Sequence, residues 1–137
     1  MLSVREGDCF VRPESKLLGE DYDNLAPDGS QIRLLLTTDR GGIAHCTLEP
    51  GQVSQAEAHK AVEEIWYFLE GRGQVWRKPC DPAVIEVFPG MSLTVPTGTH
   101  FQFRNNGETA LRFLIVTMPP WPGKDEAYRV ENYWDAS

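Results

Sequence analysis

The chain predicts an all-β domain, a sandwich or a small barrel, on three observations. About eight apolar runs of strand length recur at near-regular spacing along its middle. Gly, Pro, Asn and Asp punctuate nearly every gap between those runs, as tight turns require. No segment carries the apolar periodicity of a core helix. With 137 residues, 41% of them hydrophobic, the chain suits one compact domain, because two halves would each be too short to bury much core.

Residues 1–30 are polar and interrupted by Pro13, Gly19, Pro27 and Gly29, which predicts an irregular amino-terminal arm with one short strand at Cys9, Phe10 and Val11. Residues 31–38 read as a strand, and Asp39, Arg40, Gly41 and Gly42 as a tight turn into a second strand at 43–48. These two are expected to pair as a hairpin. Pro50 and Gly51 turn the chain, and a polar stretch through Lys60 leads to the apolar run 65–69. Gly71 and Gly73 bracket the turn before 74–77, while Pro79 and Pro82 confine the next segment to a turn before 84–88. Pro89 and Gly90 precede the strand at 92–95, Pro96 and Gly98 precede 101–104, and Asn105, Asn106 and Gly107 lead into 111–117. The barrel core thus spans residues 31–117. The extension 118–137 opens with Pro119, Pro120 and Pro122, whose missing backbone donors bar it from a central strand. It is expected to pack on the barrel or a partner, with Trp121 covering the barrel's mouth, a partner surface or an outer sheet face.

A net charge of −7 with no basic cluster argues against nucleic acid and anionic membranes as partners. The absence of a long apolar run and of a leader pattern predicts a soluble, cytoplasmic protein. Cys9, Cys46 and Cys80 lack the spacing of a disulfide framework or a zinc site and read as inert thiols. The short glycine turns at Gly71–Gly73 and Pro96–Gly98 lack the following helix of a phosphate loop, and no nucleophile elbow is present.

The chemistry concentrates between Gly51 and Gly71. On an extended segment Glu57 and His59 point to one side, and Glu64 joins them if it enters the next strand in phase. One imidazole and two carboxylates are a donor set for a divalent ion, Fe, Mn, Zn, Co or Ni. Alternatively His59 is a polar core residue bonded to Glu57 or Glu64, with Arg33, Arg104 or Arg112 balancing the acids. Glu63 should face solvent, and His45 reads as a satisfied interior histidine. Trp66 and Phe68 share the phase of Glu64, whereas Ile65, Tyr67 and Leu69 share the opposite one, so one face is expected to line the barrel and the other to meet an outer sheet, the amino-terminal arm or another subunit.

These residues fall into two spaced motifs. Gly51, His59, Glu64 and Gly71 keep the spacing of the first motif of the cupin superfamily, with Glu57 on the place of its first histidine. Gly90, Pro96, Gly98 and Asn105 keep the spacing of the second, with Phe101 on the place of its last metal-binding histidine and His100 one place early. The chain therefore resembles a small single-domain cupin over about residues 31–117. The resemblance implies a double-stranded β-helix, or jelly-roll, barrel whose interior holds one divalent metal ion and no organic cofactor. It implies Glu57, His59 and Glu64 as metal ligands. In a regular strand Phe101 and Phe103 face inward and His100 outward, unless a bulge inserts a half-step and makes His100 a fourth ligand.

The expected lining of a small-molecule pocket is Gln55, Trp66, Phe68, Trp76, Phe101 and Phe103. The leading expectation is a metal-dependent enzyme acting on a small organic molecule as an oxygenase, isomerase or lyase. The alternative is a metal-free ligand-binding cupin serving as a sensor, carrier or accessory protein, favoured by Phe101. A homodimer is expected from the resemblance, the doubly apolar strand and the aromatic tail.

Overall fold

A computed structural model describes residues 12–137, so the strand expected at Cys9, Phe10 and Val11 lies outside the described residues. Eleven strands are seen there: β1 (Asn24–Leu25), β2 (Gln31–Thr37), β3 (Gly42–Leu48), β4 (Glu57–His59), β5 (Glu63–Glu70), β6 (Gly73–Lys78), β7 (Val84–Val87), β8 (Ser92–Val95), β9 (His100–Arg104), β10 (Leu111–Met118) and β11 (Ala127–Arg129). They form two sheets, six strands in the order β1-β2-β3-β10-β5-β8 and five in the order β11-β4-β9-β6-β7. All pairings are antiparallel, and strands adjacent in sequence repeatedly cross from one sheet to the other. This is the double-stranded β-helix that the sequence predicts. Among the described residues no helix is long and apolar enough to cross a membrane.

Each strand expected within residues 31–117 forms within a residue or two of its predicted bounds, and β2 pairs with β3 as the expected hairpin. The turns explain the motif glycines. Gly51, Gly71, Gly90 and Gly98 all have positive φ, between 80° and 94°. Gly71 is doubly constrained, because a Cβ there would run into the Ala110 carbonyl and lie 2.9 Å from the Leu111 Cα. Asn105, at the end of β9, is 2% exposed and fully used. Its amide donates to the carbonyls of Leu48 and Thr109 at 2.9 and 2.8 Å and accepts from the Gly107 N–H at 2.9 Å.

The interior is packed at one end and open at the other. Trp66 and Phe68 both lie 4.7 Å from Phe113, ring centre to ring centre, and Phe103 sits edge-on to Trp66 and Phe113 at 5.4 and 5.3 Å. Those rings fill the closed end with contacts that aromatic quadrupoles favour. Glu57, His59 and Glu64 lie beyond them, at the open end.

The outer face of β5, expected to meet an outer sheet, the amino-terminal arm or another subunit, is partly open: Ile65, Tyr67 and Leu69 are 42, 46 and 37% exposed. One feature departs from the sequence reading. The tail supplies a strand that was not foreseen, β11, which pairs with β4 in the register Ala127↔His59, Tyr128↔Ala58 and Arg129↔Glu57.

Candidate functional site

Two strands supply the acidic groups because both obey the period of two. Glu57 and His59 alternate with Ala58 on β4, and Glu64 begins the inward row Glu64, Trp66, Phe68 on β5. Glu57 lies directly across from Phe101 of β9, so the carboxyl and the ring share the interior. Together with Asp28, Phe103, Thr117 and Trp121, these groups line a cavity of about 370 Å³ between the sheets. Its mouth is marked by lining residues that reach solvent, Leu34 at 49% exposed and Trp121 at 38%.

Of the residues expected at the site, Glu57, His59, Glu64, Trp66, Phe101 and Phe103 are brought together around this cavity. Phe68 belongs to the packed end, against Trp66 and Phe113. Trp76 points through the other face of its sheet, where it stacks on Tyr133 at 5.3 Å with the planes 13° apart. Gln55 lies at the surface and accepts from Arg129 Nη1 at 3.1 Å. His100 is not among the lining residues. The register of β9 on β6 runs unbroken from Gln74↔Arg104 to Lys78↔His100, so no bulge supplies the half-step that would turn it inward.

None of the three arginines considered as counter-charges reaches the cavity. Arg33 holds the carbonyls of Gly19 and Glu20, Arg104 holds Gln74, and Arg112 lies 3.4 Å from Glu70. His45, expected to be a satisfied interior histidine, is buried with its Nδ1 unpartnered. Burial, then Arg33 and Arg112, hold its pKa below the ordinary value.

The sequence reading missed Asp28 and left Trp121 among three locations. Asp28 follows Pro27 in a turn where the Ser30 N–H and hydroxyl donate to its Oδ1 at 2.9 and 2.6 Å. Nothing local signals its place; the Asp28 carbonyl accepts from the Gln55 N–H at 2.9 Å, and that long-range bond ties the arm beside β4. Trp121 sits edge-on to His59 at 5.1 Å, as Phe101 does from another side. The imidazole is thus wedged between two rings, with its Nδ1 buried and unpartnered.

Among the described residues no Lys or Arg lines this space, and the electrostatics follow from that. Burial, then Asp28, raise Glu57 from 4.5 to about 8, while Arg129 opposes the rise. Burial raises Glu64 from 4.5 to about 7, against the bond that Trp66 Nε1 donates to its Oε1 at 2.9 Å. Burial lowers His59 from 6.5 to about 4, so the ring is neutral at ordinary pH. Asp28 is also raised by burial, with its Ser30 bonds opposing.

Comparison with known proteins fixes the family. The family model for the cupin domain matches residues 44–117, more than half of the chain. The chain belongs to the cupin family. An uncharacterized protein of Methanocaldococcus jannaschii is 30% identical to this cupin over 119 residues, covering 80% of the chain and 93% of the relative. Among solved structures, the polyketide cyclase RemF of Streptomyces resistomycificus superposes with a TM-score of 0.68 at 20% identity, covering 90% of this chain and 87% of the other. A conserved protein with a double-stranded β-helix domain from Klebsiella pneumoniae subsp. pneumoniae gives 0.67 at 17% identity, covering 87% and 100%. At these identities the likeness concerns the fold.

A metal in the interior, as the cupin resemblance implies, needs donors that converge. Among the described residues no three His, Cys, Asp or Glu side chains are grouped closely enough to share an ion. Glu64 is turned to the Trp66 N–H, and the ring of Phe101 packs on the imidazole. This donor set, as placed, does not fit a resident divalent ion.

Proposed function

We propose that this cupin binds a small organic molecule in the cavity between its sheets and acts on it by proton transfer through its own side chains. The observation that carries this reading is a pair of unspent polar groups in an otherwise aromatic chamber. Glu57 is 3% exposed and takes no hydrogen bond among the described residues; His59 is 4% exposed with an unpartnered Nδ1. Buried polar groups are normally satisfied, so a pair left open toward a cavity is available to a ligand.

The roles follow from chemistry. Glu57 offers the polar anchor. Glu64, with a pKa of about 7, can lose and regain a proton near neutrality, where general acid–base catalysis is most effective. His59 is neutral and able to accept a hydrogen bond or proton. Trp66, Phe101 and Trp121 hold the apolar body and limit water. Of the reaction classes considered, isomerisation and elimination need only such transfers: a proton passes from a carbon to Glu64 and is returned at another atom, with no oxidant consumed. Binding without turnover, as in a sensor or carrier, uses the same anchor.

Metal analysis of untagged protein, supplemented with iron, manganese, zinc and nickel, tests this together with fragment-soaked crystals. The expected result is substoichiometric metal and a fragment touching Glu57 between Trp66 and Phe101. Near-stoichiometric metal that disappears in both Glu57→Ala and His59→Ala would overturn the reading, as would an interior that admits no fragment.

The working unit in this reading is a homodimer. Ile65 and Tyr67 lie across from Val116 and Leu114 in the same outward phase, which gives one continuous apolar face on the six-stranded sheet. Burying such a face against a second copy removes it from water and leaves the mouth of the cavity free.

A further inference from the structure

We propose that the cavity selects an organic cation, a primary or secondary ammonium group carried on an apolar or aromatic body. This rests on the small-molecule reading of the same cavity and narrows it to a ligand class.

Three acids, Asp28, Glu57 and Glu64, line the cavity, and among the described residues no Lys or Arg does. All three are buried, at 8, 3 and 5% exposed. Their local partners are unequal. Among the described residues Asp28 takes two bonds from Ser30, Glu64 takes one from Trp66, and Glu57 takes none. The cation acting most directly on Glu57, Arg129, is an exposed residue on the strand behind β4 whose guanidinium is bonded to Gln55. Among the described residues these acid groups therefore have no counter-ion in the cavity, and a buried carboxylate is stable only when paired or bonded.

The remaining walls favour a cation over other ways of meeting those acids. Trp66, Phe101, Phe103 and Trp121 present aromatic surface, and a ring face attracts positive charge through its quadrupole. His59 is neutral, so the chamber adds no positive charge to repel the ligand. Its buried, unpartnered Nδ1 is a further polar group open to a donor. A free metal ion would need several donors around one point, whereas an ammonium on an organic body needs one or two acceptors and an apolar shell. About 370 Å³ accommodates such a molecule. An anionic ligand would face three acids with no Lys or Arg among the described lining residues.

Isothermal titration at one pH and ionic strength with benzylamine, benzyl alcohol and benzoate tests the proposal. The three probes share a ring and differ in the charge they bring. Benzylamine is expected to bind at least about tenfold more tightly than benzyl alcohol, the scale of one charge pairing with an aromatic wall, and benzoate most weakly. Glu57→Gln, nearly isosteric, should erase the preference for the amine while the alcohol still binds. Glu64→Gln serves as a second variant should the first fail to fold, and should reduce the same preference. Equal or tighter binding of the alcohol or benzoate overturns the cation assignment and leaves the small-molecule reading standing. Binding of none of the three, with the wild-type protein folded, overturns both.

Discussion

At the scale of single residues, the two motifs divide into parts that build the barrel and parts that build the cavity. Asn105 belongs to the first group: Asn105→Ala removes three buried hydrogen bonds and is expected to destabilise the fold by about 2–3 kcal/mol, measured by denaturant unfolding. Glu57, Glu64 and His59 belong to the second and set the pH dependence of stability. Glu57 and Glu64 have folded pKa values raised from 4.5 to about 8 and about 7. Their contribution is fully present below pH 4.5 and is lost as pH rises through those values. His59, lowered from 6.5 to about 4, contributes fully above pH 6.5 and loses its contribution as pH falls through 4. Melting temperature is therefore expected to peak in mildly acid solution, and Glu57→Gln should flatten its decline toward pH 8. The places of Glu57, His59, Glu64 and Phe101 were legible because glycines at turns fix the strand phase on either side of them. That of Asp28 was not, since an arm without periodicity acquires its position only from the strand it docks against.

At the scale of elements, strands of four or more residues with turn residues at both ends were readable, and the shortest ones were not. β4 and β11 have three residues each, too short a run for the sequence to mark as strands; β4 is held between β9 and β11, and β11 pairs with β4. The tail behaves as a strap across the five-stranded sheet. Gln102, fully buried, accepts from the N–H groups of Tyr133 and Trp134 and donates to the carbonyls of Ser54 and Trp134, all at 2.8 Å. Glu126 receives the N–H groups of Ala61 and Val62 at 2.7 and 2.8 Å, pinning the turn that follows His59. Replacing Gln102 with Glu keeps the shape but removes both donors, leaving the carbonyls of Ser54 and Trp134 unpaired beside a buried acid. Gln102→Glu is expected to speed amide exchange across residues 127–134 by at least about tenfold, while the β3–β10 ladder keeps its protection. Hydrogen–deuterium exchange read by mass spectrometry checks both halves of that outcome.

At the scale of the whole molecule, the barrel presents unlike surfaces on its two sheets. The five-stranded sheet is covered by its own tail, with Tyr133 on Trp76 and the Arg104 guanidinium 4.4 Å from the ring centre of Trp134. The six-stranded sheet leaves Ile65, Tyr67 and Leu69 in water. The sequence announced an apolar load on that face, but which body covers it is a property of two chains and cannot be read from strand phase in one. Light scattering after size exclusion is expected to give twice the chain mass for the wild type and the chain mass for Ile65→Glu combined with Tyr67→Glu, because a paired carboxylate patch opposes burial. A monomeric wild type at micromolar concentration would remove the dimer from the proposal. The strap has a consequence for how the protein is made. The neighbour of His59 on its outer edge, Ala127, leaves the ribosome after every strand of the barrel proper, as does Trp121 at the mouth. A nascent chain thus completes its core while the binding chamber still has an open edge and no lid, so the capacity to bind arrives after the barrel, once Trp121 and Ala127 have emerged.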